Sequence, residues 1–181
     1  MVGTVTELPA FRYHPDPLAT GEIKPSAETC LSCGEARGYL YAGPVFAVEE
    51  LVDELCPWCI ADGSAADRFD ATFTDAYDVP DDVPESVVQE VLTRTPGFNG
   101  WQQEHWLFHC SDAAAFVGRV GYDDLRGLPD AVEVLLAENA QFWSPEQCED
   151  YVRHLDADGE ATGYLFRCLR CGTHLAYSDM S

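Results

Sequence analysis

The sequence predicts a small α+β fold stapled by metal, with a treble-clef-like finger in its N-terminal half and a second knuckle near its C-terminus. Three observations predict it. Three Cys-x-x-Cys pairs, Cys30/Cys33, Cys56/Cys59 and Cys168/Cys171, have the spacing that lets both thiolates of a pair reach one tetrahedral ion. Short aromatic and β-branched runs bounded by glycine and proline alternate with stretches of helical period, so strands and helices are both expected. A chain of 181 residues, 46% of them hydrophobic, buries one substantial core or two small ones supported by metal.

Composition narrows the function classes. The chain carries 32 acidic and 10 basic residues, a formal charge of −22. Such a surface repels phosphate backbones, which excludes a conventional DNA or RNA reader. No apolar run reaches the length of a membrane span, and the N-terminus lacks a charged segment followed by an apolar one, so a cytoplasmic location is expected. Without an export signal, and with six of eight cysteines in Cys-x-x-Cys pairs, metal ligation is expected rather than disulfides. A thioredoxin-like motif needs one pair at a strand end inside a β-α-β pattern, and no such pattern surrounds these three.

Residues 1–24, broken by Pro9, Pro15, Pro17 and Gly21, read as an extended arm on the surface, with His14 at the surface or behind a metal ligand. Residues 25–80 form the four-cysteine zinc finger module. Cys30-Leu-Ser-Cys33-Gly34 is a knuckle, Gly38 to Tyr41 a strand, and a second run from Val45 makes a hairpin with it, with a helical turn over Glu49 to Leu55. Cys56-Pro57 opens a helix that Gly63 weakens, and an irregular acidic connection follows. Residues 81–181 form an α+β module packed with the finger as one unit. Pro84 opens a helix through Val87, Val88, Val91 and Leu92; Trp101 to Cys110 reads as a buried strand, and Asp112 caps a short helix from Ala113 to Val120. Ala131 to Ala137 is helix or strand. Ser144-Pro145-Glu146-Gln147 is a capping box before an amphipathic helix whose apolar face includes Cys148, here a core residue. A turn at Asp156 to Gly159, a strand to Arg167, the last knuckle and a strand through His174 to Tyr177 close the chain.

Cys30, Cys33, Cys56 and Cys59, with 22 residues between the pairs, make a complete four-thiolate set for structural Zn2+. Cys168 and Cys171 need partners from elsewhere. Cys110 is the first choice, with His109 or His174 as the fourth ligand; on a strand His109 and Cys110 would point to opposite faces unless the backbone turns there.

The phrases FRYHPDP, CLSCG, CPWCIADGSAADRF, RTPGFNGWQQEHWLFHC and YLFRCLRCGTH, spread in this order from Pro9 to Tyr177, resemble the CbrC family, also called UPF0167, small bacterial zinc-binding proteins. The family pattern matches at Cys30, Cys33, Cys56, Cys59, Trp101, Gln102, Gln103, Trp106, His109, Cys110, Cys168 and Cys171. A second small residue or cysteine is expected after Asp112, where this chain has Ala113 to Ala115, so the fourth ligand of the second site stays open. The resemblance implies no reaction; it implies an association with tolerance to a nuclease colicin. An acidic protein that binds a basic partner such as a nuclease toxin fits that association, and 13 acidic residues against Arg68 alone between Glu49 and Glu90 fit it too. The competing expectation is a zinc-dependent hydrolase or nuclease built around His109, Cys110, Cys168 and Cys171, with Glu104 or Asp112 as base and His105 or His109 stabilising charge, although no His-Glu-x-x-His signature is present. A third is an adaptor presenting Tyr39, Tyr41 and Trp58.

Overall fold

The computed structural model describes residues 7–181, so the first six residues of the expected arm lie outside the described residues. The fold is mixed α+β with two antiparallel sheets. In the smaller, β1 (Ile23–Pro25) pairs with β2 (Tyr39–Tyr41), Ile23 opposite Tyr41. The expected hairpin between β2 and the run from Val45 does not form. Pro44 has no N–H to give a ladder, the Tyr41 hydroxyl donates to the Pro44 carbonyl at 2.9 Å, and the redirected chain makes one bridge, Phe46 to Thr72. Turns replace the helical turn expected over Glu49 to Leu55. Two short helices follow, α1 (Pro57–Ala61) and α2 (Ser64–Phe69), divided at Gly63 in a left-handed conformation.

Helix α3 (Glu85–Arg94) starts after Pro84 and buries Val91. The larger sheet is a meander in chain order: β3 (Phe108–His109), β4 (Asp112–Val120), β5 (Ala161–Cys168) and β6 (His174–Met180). Between β4 and β5 come α4 (Tyr122–Leu125), α5 (Pro129–Asn139) and α6 (Pro145–Arg153). The undecided Ala131 to Ala137 run is therefore helix. Ser144 caps α6 as expected: its Oγ accepts from Gln147 N at 3.4 Å, and Gln147 Oε1 accepts from Ser144 N at 3.0 Å.

The helix expected from Ala113 to Val120 is instead strand β4. It runs between β3 and β5, and its first five residues are buried. Alanine's helix propensity is a few tenths of a kcal/mol per residue, on the order of 0.5, which a two-sided ladder and burial outweigh. Conversely, Trp101 to Cys110 is not a buried strand. Only Phe108 and His109 join a ladder; Trp106 is buried with its ring Nε1–H donating to the Ala114 carbonyl at 2.8 Å.

One face of the sheet (Phe116, Tyr164, Phe166, Tyr177) packs against Tyr13, Val91, Phe98 and Trp106. The other (Val120, Leu165, Ala176) packs against α4 to α6. A third cluster fills the finger, around Leu40, Tyr41, Leu55, Ile60 and Phe73. The N-terminal arm is not a surface strap. A register shift between Phe116 and Gly118 turns the Phe116 N–H out of the ladder to the Tyr13 carbonyl at 2.7 Å. His14, expected near the surface, is fully buried against Phe116. Its Nδ1 donates to the Pro96 carbonyl at 2.8 Å, its Nε2 accepts from Thr20 Oγ1 at 2.7 Å, and burial pushes its pKa down to about 4. Gly97 joins finger and sheet: its N–H donates to the Tyr41 hydroxyl at 3.0 Å, and a Cβ there would lie 1.7 Å from the Phe73 carbonyl oxygen. No helix among the described residues is long and apolar enough to cross a membrane.

Candidate metal centres

The two knuckles share one backbone design. In the first, Cys30 N donates to the Glu35 carbonyl at 3.0 Å and Gly34 N to the Cys30 carbonyl at 2.8 Å; in the second, Cys168 N donates to the Thr173 carbonyl at 2.8 Å and Gly172 N to the Cys168 carbonyl at 3.0 Å. Both turns need a positive φ at the glycine, +74° at Gly34 and +78° at Gly172. Each loop aims amides at its first sulfur. Burial would raise the Cys30 thiol, but backbone N–H groups of Cys33, Cys56 and Ser32 outweigh it and the pKa falls. For Cys168 burial is likewise outweighed by the amides of Cys171 and Arg170.

The first cluster is completed by the start of α1. Proline at N1 and an extended Cys56 put Cys56 and Cys59 on one side of the first turn. Cys30 and Cys59 sulfurs lie 3.9 Å apart, Cys33 and Cys56 3.9 Å, and Cys56 and Cys59 3.5 Å. The edge of a tetrahedron with zinc–sulfur bonds is roughly 3.8 Å. All four cysteines are free thiols, and three are buried. Crowding shows in Cys56, whose thiol pKa is raised by burial and by its neighbours Cys59 and Cys30.

The second cluster draws its other half from the β3–β4 turn. Strand alternation would have sent His109 and Cys110 to opposite faces, but the strand ends at His109, and Cys110 and Ser111 adopt left-handed φ of 54° and 56°. The turn swings the Cys110 thiol back beside its neighbour. His109 Nδ1 lies 3.3 Å from Cys110 Sγ and 3.4 Å from Cys171 Sγ, and His109, Cys110, Cys168 and Cys171 keep their ligating atoms within 4.8 Å of one another. All eight expected ligand residues therefore fall into two groups that could each hold a metal ion. His174, the other candidate, turns its Nδ1 to Asp130 Oδ2 at 3.2 Å, and that carboxylate also accepts from the His174 N–H at 2.7 Å. Cys110 and Cys171 are exposed, and hydrogen bonding to the Cys171 thiol pushes Cys110 up to about 11.

Sequence reasoning missed what braces this second cluster. Asp112, read as a helix cap or a catalytic base, is 1% exposed and is occupied on several sides. It accepts from the Tyr13 hydroxyl at 2.7 Å, from Arg12 at 2.6 Å and from Arg170, inside the second knuckle, at 3.5 Å. It positions the knuckle against the arm and has no lone pair facing a substrate. The polar pair Ser111-Asp112 directly after Cys110 was the available sign of a turn. Tyr39, Tyr41 and Trp58 pack in and against the finger's core, with Arg37 over the Trp58 ring at 5.5 Å. Cys148 is buried, as expected.

Comparison with known proteins identifies the family. The family described as "Uncharacterised protein family (UPF0167)" matches residues 8–180. UPF0167 proteins of Mycobacterium bovis and Mycobacterium tuberculosis are each 58% identical over 180 residues, covering 98% of this chain and 96% of the relative. One from Pseudomonas aeruginosa is 47% identical over 168 residues, 91% of this chain and 93% of its own. No solved structure matches the chain.

Proposed function

The chain belongs to UPF0167, and from that premise we propose that it is a zinc protein with two structural sites, a treble-clef-like finger and a second knuckle, that acts in the cytoplasm by binding a basic protein partner. The observation that carries the zinc reading is the donor set. Each cluster offers four ligands, all sulfur or imidazole, at separations that suit one small tetrahedral ion. Cys30, Cys33, Cys56 and Cys59 would hold the first ion; His109, Cys110, Cys168 and Cys171 would hold the second. A hydrolytic zinc needs three protein ligands and an open position for water. A four-ligand set leaves none, so the hydrolase reading lacks its central requirement at this site.

With the metals assigned to structure, the remaining chemical endowment is charge. A net −22 is a polyanion-like surface that steers cationic proteins, and nuclease toxins are cationic because they bind polyanions. The colicin tolerance that the resemblance to the CbrC family implies would be served by a partner of that class. Pull-down of a basic nuclease at low and moderate salt tests it. Capture at low salt that weakens at moderate salt is expected; no capture at either contradicts the reading.

A further inference from the structure

The eight cysteines differ in access to solvent. In the finger Cys30, Cys56 and Cys59 are buried and Cys33 alone is exposed; in the second cluster Cys110 and Cys171 are both exposed and Cys168 is buried. Cys148, outside both clusters, is buried, with its sulfur donating to the Trp143 carbonyl at 3.7 Å. Among the described residues, Cys110 and Cys171 are therefore the one pair of neighbouring sulfurs that both meet solvent. Hydrogen bonds between protein groups hold their two loops together. β3 and β4 pair at His109 and Asp112, and β4 and β5 at Ala114 and Cys168, so the turn carrying Cys110 and the knuckle carrying Cys171 extend from the same end of the sheet. Cys168 Sγ donates to the His109 carbonyl at 3.8 Å, and Asp112 accepts from Arg170 at 3.5 Å, which ties the loops again. The Cys110 and Cys171 sulfurs lie within 4.8 Å of each other, each beside His109 Nδ1.

Metal ligation keeps a thiol deprotonated, and an accessible thiolate with a second sulfur beside it is the arrangement that peroxides convert to a disulfide. We propose that Cys110 and Cys171 are a peroxide-sensitive pair whose oxidation to a disulfide empties the second zinc site and leaves the finger's site filled, an inference that rests on the zinc reading of that cluster. One thiolate of the pair attacks a peroxide oxygen; the O–O bond breaks, hydroxide leaves and the sulfur becomes a sulfenic acid. The other thiolate attacks that sulfur, the S–O bond breaks, and a second hydroxide leaves as the S–S bond forms. Each thiolate has given up one electron and the peroxide has taken both. His109 and Cys168 are then the only intact ligands, too few for a closed site. A dithiol reverses the step by exchange, becoming a disulfide itself and returning two thiols. The finger does not follow, because a sulfenic acid at Cys33 lacks an accessible partner: Cys56, 3.9 Å away, is enclosed in the core.

The test treats the full chain, loaded with two equivalents of zinc, with a modest excess of hydrogen peroxide. Released zinc is followed with a chromogenic dye, and thiols by differential alkylation and peptide mass spectrometry. One equivalent leaves at least about tenfold faster than the other, a disulfide joins Cys110 to Cys171 in the same fraction, and a dithiol followed by fresh zinc restores the original content. Cys110→His keeps a ligand atom but removes the thiol that traps the sulfenic acid. After the same dose a dithiol does not restore its second site, because Cys171 goes on to the sulfinic acid. Release of both equivalents together, release of neither, a disulfide joining Cys168 to Cys171, or full recovery of Cys110→His overturns the proposal and leaves the zinc reading standing. If Cys110→His holds one zinc from the start, the wild-type disulfide map and release rates decide alone. Fewer than two equivalents in the untreated wild type removes the zinc reading of the second cluster and the switch with it.

Discussion

The two knuckles have the same hydrogen bonds and the same left-handed glycine, yet they are finished differently. The first takes its second pair of thiolates from the start of α1, deep in the finger's core, and only Cys33 is exposed. The second takes a histidine and a cysteine adjacent in sequence at an exposed turn, and both Cys110 and Cys171 face solvent. The first cluster lies inside the finger's own apolar core, three of its four thiols buried there; the second lies at the end of a sheet that has aromatic packing on one face and helices on the other. A shared half-site therefore does not imply a shared role. We expect the first ion to be needed for folding and the second to trim a fold that stands without it.

Four experiments sharpen or break that contrast. Cys56→Ser removes a buried ligand and has the largest effect: loss of the finger's metal and of cooperative unfolding, read by thermal melting, because binding energy of about 10 kcal/mol or more is folding energy at such a site. Cys110→Ser is milder. It releases one equivalent of metal and lowers stability by about 2–4 kcal/mol, in the range of a lost constraint rather than a lost core. A folded finger after Cys56→Ser would reverse the assignment of roles.

His14 tests the sheet region without touching a ligand. Its folded pKa of about 4 lies below the ordinary histidine value of about 6.5, so the unfolded chain takes up the proton first. Its contribution is present above pH ~6.5 and is lost as pH falls through about 4, on the order of 3 kcal/mol in all. Denaturant unfolding from pH 7 to 4 should show a shallower loss in His14→Gln than in wild type, and parallel profiles would exclude His14 as the cause. The smallest effect tests the shared half. Gly34→Ala and Gly172→Ala each force a side chain into left-handed φ and cost about 1–2 kcal/mol, nearly equal in the two knuckles, measured by the shift in denaturation midpoint.

The legible parts of this chain were those specified locally. The Cys-x-x-Cys-Gly repeats, the Pro57 helix start and the capping box at Ser144 each depend on a few consecutive residues, and each appears where the sequence placed it. What was misread depends on distant partners. Ala113 to Ala115 look helical until β3 and β5 flank them. His14 beside two prolines looks superficial until Pro96, Thr20 and Phe116 surround it. The pairing of β2 with residues before the knuckle, rather than after it, follows from a bend at Gly43-Pro44 that periodicity does not describe. At the second cluster, the candidate residues were legible from sulfur and imidazole chemistry. That His109 rather than His174 lies beside the three thiols follows from two left-handed residues and from Asp130, neither visible in spacing.

The central claim, two complete ligand sets of unequal burial, is tested most directly by zinc content per chain, measured by elemental analysis before and after mild chelation. Two equivalents are predicted in the purified protein. Mild chelation should take one while near-ultraviolet dichroism stays native, and Cys110→Ser should carry one from the start. A single equivalent in wild type, or two that leave together as the fold is lost, would contradict the account.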